Sequence, residues 1–174
     1  MQSRRKLSVA SNLNHHEPST FSPRKVLVLT KLSRYEFEKL RHANLNERQL
    51  EETLRKRGSD YNNILYHHTL HKNCEAMVVR MLAEHNIETK VVNRFDYNEK
   101  NINWADVIVT TGGDGTYLLA ASRILDPNKP VIGFNSDPTR SEGYLCFPKK
   151  YSHNIQEAID KLCKVVFNFH FRWF

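Results

Sequence analysis

VIVTTGGDGTYLLAAS, Val107 to Ser122, is the stretch that decides how this chain folds: a β-favouring run, a Gly-Gly-Asp-Gly turn, then an alanine- and leucine-rich segment. Asp-Gly between two β-runs signals a hairpin. Here the following TYLLAASRIL is a helix former, so the turn joins a strand to a helix N-terminus, where free amide N–H groups and the positive dipole end collect anions. Gly112, Gly113 and Gly115 allow positive φ and leave no Cβ between the backbone and a phosphate oxygen. Thr116 is placed to cap the helix or to donate to the same oxygens. The turn is no Walker loop, which needs Gly-Lys-Ser/Thr, and no dinucleotide fingerprint, since Gly113-x-Gly115-x-x ends in Leu118. The carboxylate of Asp114 would repel a phosphate unless it binds Mg²⁺ or takes a proton from an attacking hydroxyl, and both are phosphoryl-transfer roles.

Outward from this turn, strands alternate with helices. KVLVLT after Pro23 reads as a buried first strand. Ser33-x-x-Glu36 is a capping box opening a helix over Tyr35, Phe37 and Leu40. A second helix begins near Asn46, carries Leu50 and Leu54 on one face, and stops at Gly58, while SDYNNILYHH reads as a polar connection ending in a helical turn. From Cys74 the positions Met77, Val78, Met81 and Leu82 mark a one-sided helix ended by Asn86. ETKVV and WADVIVTT read as strands, the latter flanked by NEKNIN, TYLLAASRIL as a helix closed by Asp126-Pro127-Asn128, and PVIGFN as a further strand. Asn154-x-x-Glu157 caps a last helix with Ile155, Ala158, Ile159 and Leu162. The pattern predicts an α/β fold: an open parallel sheet with helices on both faces. Ligands of such sheets sit outside the carboxyl ends of the strands, where the GGDG turn and the NSDPTRSEG loop both fall.

The 174 residues suffice for one domain with one core, and no stretch has the roughly 20 apolar residues needed to span a bilayer. Of the net charge of +7, the first 25 residues supply +4 (Arg4, Arg5, Lys6, Arg24 and Lys25 against Glu17). The remaining basic residues are interleaved with acids, which disfavours nucleic acid. Cys74, Cys146 and Cys163 form no Cys-x-x-Cys pair, which points to a reducing compartment. Residues 1–24, basic and acid-free until Glu17, with Leu7, Ala10 and Leu13 at helical spacing, fit a mitochondrial transit peptide. Residues 25–165 form the α/β domain. At the end, VVFNFHFRWF places Phe167, Phe169, Phe171 and Trp173 on one face of a strand without a partner, and a further domain, a partner chain or a missing exon is expected there.

TTGGDGTYLLAAS, followed one strand later by PVIGFNSDPTRSEGYLC, resembles the NAD kinase family and most closely its mitochondrial branch; RYEFEKLR, NWAD and FRWF extend the likeness from about Lys25 to Phe174. GGDG alone is shared with phosphofructokinases and with diacylglycerol and sphingosine kinases, whose folds are related. The resemblance implies transfer of the γ-phosphoryl of ATP, with Mg²⁺, to the 2′-hydroxyl of the adenosine ribose of NAD, giving NADP, by a homodimer. Asp114 would orient or deprotonate that hydroxyl; Gly112, Gly113, Gly115 and Thr116 would line the phosphates; Asn135 would contact the dinucleotide. Lys31, just past the first strand, is a candidate for the donor phosphates, or else a solvated loop lysine. Arg140 and Glu142 belong to the family-like loop or pair in a salt bridge that holds it.

The family carries a second, β-rich domain after the FRW region, which residues 166–174 would begin, so this chain corresponds to the nucleotide-binding half. The alternatives are a non-catalytic nucleotide-binding fragment and, less favoured for want of a Gly-Thr-x-Asn-Asp segment, a diacylglycerol-type lipid kinase. His67, His68 and His71 in HHTLH lack the glutamate of a metalloprotease motif and an evident third ligand, so no metal site is assigned. Cys146 reads as a small buried hydrophobe, and Tyr117 as a packing residue.

Overall fold

The computed structural model describes residues 22–164; the basic N-terminal segment and the strand expected over VVFNFHFRWF lie outside the described residues. The elements run β1 (Lys25–Thr30), α1 (Arg34–Arg41), α2 (Glu47–Lys56), α3 (Tyr61–Glu84), β2 (Glu88–Val92), α4 (Glu99–Trp104), β3 (Val107–Gly112), α5 (Asp114–Ala121), β4 (Val131–Asn135), α6 (Lys150–His153) and α7 (Ile155–Lys164). The four strands make one sheet in the order β2-β1-β3-β4, every pair parallel. Parallel neighbours require crossovers, and helices supply them.

The central strands are buried on both sides, as their unbroken apolar runs require. On one face Val26, Val28, Val107, Val109, Ile132 and Phe134 pack against Val78, Met81 and Leu82 of α3 and Ile155, Ile159 and Leu162 of α7. On the other, Leu27, Leu29 and Ile108 meet Tyr97, Ile102, Ala105 and Ala120. The single core expected of the length is therefore split in two by the sheet. A third, smaller cluster of Leu50, Leu54, Tyr61 and Ile64 fastens α2 to α3. The edge strand β2 keeps Glu88, Lys90 and Val91 exposed.

Three local expectations are corrected. SDYNNILYHH is not a connection: Asp60 accepts the N–H of Asn63 at 3.0 Å and caps a helix that runs unbroken for 24 residues. Its first half looked polar because that half packs on polar loops of the site. NEKNIN is helical, as α4, capped by Asn98 on the N–H of Asn101 at 3.1 Å, so the strand begins at Val107 and not at Trp104. The helix after the glycines ends at Ala121, short of Asp126, where Arg123 turns back to donate to the carbonyl of Tyr97 at 2.6 Å. The Ser33 capping box of α1, the start of α2 after Asn46, and the left-handed Gly58 (φ 76°) and Asn86 (φ 58°) stand where the sequence puts them, and Asn46 with Gln49 adds a capping box.

Candidate active site at the carboxyl ends of the strands

Gly112 ends β3, Gly113 is the cap residue, and Asp114 opens α5, so the turn is a strand-to-helix corner and not a hairpin. None of its three glycines is left-handed; among described glycines positive φ occurs at Gly58 and Gly143. For Gly112 and Gly113 the reason is close approach. A Cβ on Gly112 would lie 2.3 Å from Thr116 Oγ1 and 3.2 Å from the Cβ of Lys31, and one on Gly113 would lie 3.3 Å from Ser141 Oγ. A Cβ on Gly115 would meet nothing within 4 Å. Thr116 does not cap the helix; it packs over Gly112 in the first turn.

The Asp114 carboxylate accepts the backbone N–H groups of Leu145 at 2.8 Å and Tyr144 at 3.1 Å. This acid joins the glycine corner to the loop after β4, so the two loops do share one rim. Asn135, 2 % exposed, organises that loop: its Nδ2 donates to the carbonyl of Ser141 at 2.8 Å, and its Oδ1 accepts from the Asp137 N–H and Ser141 Oγ, both at 3.2 Å. Gly143 turns left-handed against it (φ 68°), where a Cβ would lie 2.6 Å from Asn135 Nδ2. Arg140 and Glu142 are exposed, and no ion pair joins them among the described residues; Asn135 does the work expected of that pair. Below the loop, Tyr117 and Cys146 fill the space that Gly133 leaves open, and burial pushes the Cys146 thiol up to about 11, as suits a packing sulfur.

Sequence reasoning missed the opposite wall. His67, His71 and Glu75 lie four apart along α3, on one helix face. His67 Nδ1 meets Asp137 Oδ2 at 2.8 Å; His71 meets Ser136 Oγ through Nδ1 and Thr30 Oγ1 through Nε2, both at 3.0 Å; His68 Nδ1 meets Ser33 Oγ at 2.8 Å. His71 is fully buried, and desolvation, helped by the charge of Lys31, depresses its pKa to about 4. The i, i+4, i+8 spacing of these polar residues was the available signal, but reading it required a helix where the sequence suggested a connection.

Along the α3 wall lies a cavity of about 470 Å³ whose lining includes Lys31, Arg34, Arg140, His67, His68 and Asp137; the glycine corner does not line it and adjoins it through Lys31 and Ser141. That volume falls in the range of small-molecule sites. Lys31 closes on the corner: its N–H donates to the Thr111 carbonyl at 2.9 Å, and its side chain packs on Gly112. Burial lowers the pKa of its ammonium group and Arg140 lowers it further, with Asp137 opposing. A partly dehydrated cation beside a helix start invites an anion, because an anionic partner restores the solvation that burial removes. Among the described residues no helix is long and apolar enough to cross a membrane.

The architecture has known counterparts. Residues 26–164 match the family model of the ATP-NAD kinase N-terminal domain. The chain is 43 % identical over 155 residues to the mitochondrial NAD kinase 2 of Rattus norvegicus, covering 88 % of this chain and 36 % of the relative. The Homo sapiens protein of that name is equally similar, with 34 % of its length covered. The NADH kinase of Arabidopsis thaliana is 33 % identical over 108 residues, 53 % of this chain and 33 % of the relative. The chain thus spans about a third of the length of these curated relatives. Because the matched region holds the whole sheet and both loops of the rim, the glycine corner and its acid are read in their family setting: the chain belongs to the NAD kinase family.

Proposed function

We propose that this chain is the nucleotide-binding portion of an NAD kinase that moves the γ-phosphoryl of ATP onto the 2′-hydroxyl of the adenosine ribose of NAD and so makes NADP. The observation that carries this reading is the strand-to-helix corner, with Asp114 in the first turn of α5 and Lys31 packed on Gly112 at the edge of an anion-suited cavity. Gly112, Gly113, Gly115 and Thr116 line the phosphate path, with Gly115 the most open of the glycines. Lys31 and Arg140 offset phosphate charge. Asn135 serves the dinucleotide through the loop that it shapes.

Asp114 orients the acceptor hydroxyl. A carboxylate has about four acceptor positions, and two are taken by Tyr144 and Leu145, which aim the group and leave capacity for a third donor. As the ribose oxygen bonds to the γ-phosphorus, the bond from that phosphorus to the β,γ-bridging oxygen breaks, ADP departs, and the hydroxyl proton passes to Asp114. Mg²⁺ fits this chain only as part of the nucleotide complex. No three metal-ligating side chains converge among the described residues, and Mg²⁺ is commonly held by substrate phosphates with few protein ligands.

The decisive assay incubates the chain with ATP, Mg²⁺ and NAD and measures NADP. Asp114→Asn is expected to lower turnover by roughly 10² to 10⁴ fold, the usual worth of a general base; an unchanged rate removes Asp114 from the mechanism. Nucleotide binding without NADP formation would instead select a second reading, that these 174 residues bind nucleotide without carrying out the chemistry. The mitochondrial names of the relatives support a mitochondrial location, which a fluorescent fusion of residues 1–25 tests. Light scattering tests the homodimer.

A further inference from the structure

Three hydroxyls, Thr30, Thr111 and Ser136, stand where β1, β3 and β4 reach the site, and Thr30 is in register with Thr111. His71 bridges the first and the last of them. The directions of these bonds follow from donor counting. The carboxylate of Glu75 only accepts, so the single proton of Thr30 goes to Glu75 Oε2 at 2.5 Å. The Thr30 oxygen must then accept from His71, which puts the ring proton on Nε2. Nδ1 is left as an acceptor, and Ser136 donates to it. Glu75 is held at the far end by the ammonium of Lys72.

We infer that His71 is a positioning residue whose one-way relay, Ser136 to His71 to Thr30 to Glu75, sets the distance between the strand end that carries Lys31 and the loop that carries Asn135 and Asp137. Thr30 immediately precedes Lys31, and Ser136 sits between Asn135 and Asp137. A shift of the ring would therefore move both sides of the cavity mouth together. The relay is buried throughout the bridge: His71 is 0 %, Ser136 4 % and Thr30 8 % exposed. Water cannot readily replace a lost link there, so a broken bond is felt as displacement. His71 touches no reacting atom. Its consequence for function rests on the kinase reading, but the relay itself does not.

Nitrogen-15 spectroscopy of the labelled 174-residue chain tests the relay directly. The His71 ring is expected neutral with its proton on Nε2 from pH 5.5 to 8, and a proton on Nδ1, or a titration inside that range, overturns the assignment. Positioning is tested with Ser136→Ala, which deletes one donor, and with Ser136→Thr, which restores a hydroxyl. In Ser136→Ala the Asp137 and Arg140 amides, both hydrogen-bonded in the loop, should exchange with solvent at least tenfold faster while those of α7 keep their rates, and Ser136→Thr should reverse the change. Unaltered loop exchange, or equal acceleration everywhere, overturns the positioning role. Calorimetry with ATP then reads the functional consequence: about fivefold weaker binding in Ser136→Ala. If the wild-type chain binds no ATP, the kinase reading fails, and the exchange and tautomer results still decide the relay.

Discussion

The two walls of this site are built in opposite ways. The backbone of the glycine corner is local: Gly112 to Thr116 are five consecutive residues whose strand, turn and helix start follow from composition, with Lys31 and Ser141 packed on the glycines and one long-range tie, from the Asp114 carboxylate to the Tyr144 and Leu145 amides. The α3 wall is assembled at long range. His67 finds Asp137 seventy residues away, and His71 joins partners 41 and 65 residues distant. A wall of the first kind is legible in sequence and tolerant of its surroundings. The second exists only while the sheet holds its partners in place, so it should fail first and report on the fold as a whole.

That contrast can be broken most forcefully at His71. Replacing it with Phe keeps an aromatic ring, somewhat larger, but leaves the buried Ser136 hydroxyl without its acceptor and the Thr30 oxygen without its donor, and a loss of about 2–4 kcal/mol in denaturant unfolding is expected; a loss below 0.5 kcal/mol would mean that the wall is decoration. Next comes Gly143→Ala, which combines a left-handed backbone with a Cβ pressed into Asn135, for about 2–3 kcal/mol. If it is as stable as wild type, the loop does not depend on that turn.

The third test uses pH. The His71 pKa is depressed by burial to about 4 from its ordinary 6.5, so the unfolded chain binds the proton more readily. The associated stability is complete above pH 6.5 and is lost as the pH falls from there towards 4, about 2 kcal/mol of it between pH 7 and pH 5. Wild type should show this extra loss relative to His71→Phe, and parallel pH profiles would refute it. The smallest effect belongs to the local wall. Gly115→Ala finds open space in a helical turn, so stability should rise by about 0.5–1 kcal/mol while ATP binding weakens as the new methyl group obstructs the phosphate path. Tighter or unchanged binding would clear Gly115 of that role.

Much of the fold was readable because its signals are short-range. KVLVLT, VIVTTG and VIGFN are strand-length apolar runs, Ser33-x-x-Glu36 and Asn46 are self-contained caps, and Gly58 and Asn86 end helices by their own backbone preference. The first half of α3 was not read as a helix. The four-residue spacing from His67 to His71 to Glu75 is a period of polar rather than apolar side chains, and its histidines face inward because they meet Asp137, Ser136, Thr30 and Ser33. Within the site, the corner and Asp114 were legible, whereas the binding of Asp114 to the Tyr144 and Leu145 amides was not, since nothing local names a partner thirty residues on.

The order of strands and helices, the strand-to-helix glycine corner and its acid were determined by the sequence alone, because periodicity, caps and glycine act within a few residues. Only the tertiary structure decided which polar groups are interior. In α1, Phe37 is 51 % and Leu40 60 % exposed while Glu38 is buried. Local hydropathy would assign the reverse. Glu38 goes inside because the fold brings Arg57 of the next helix end to within 3.6 Å of its carboxylate, and a charge can be buried only where its partners are already waiting.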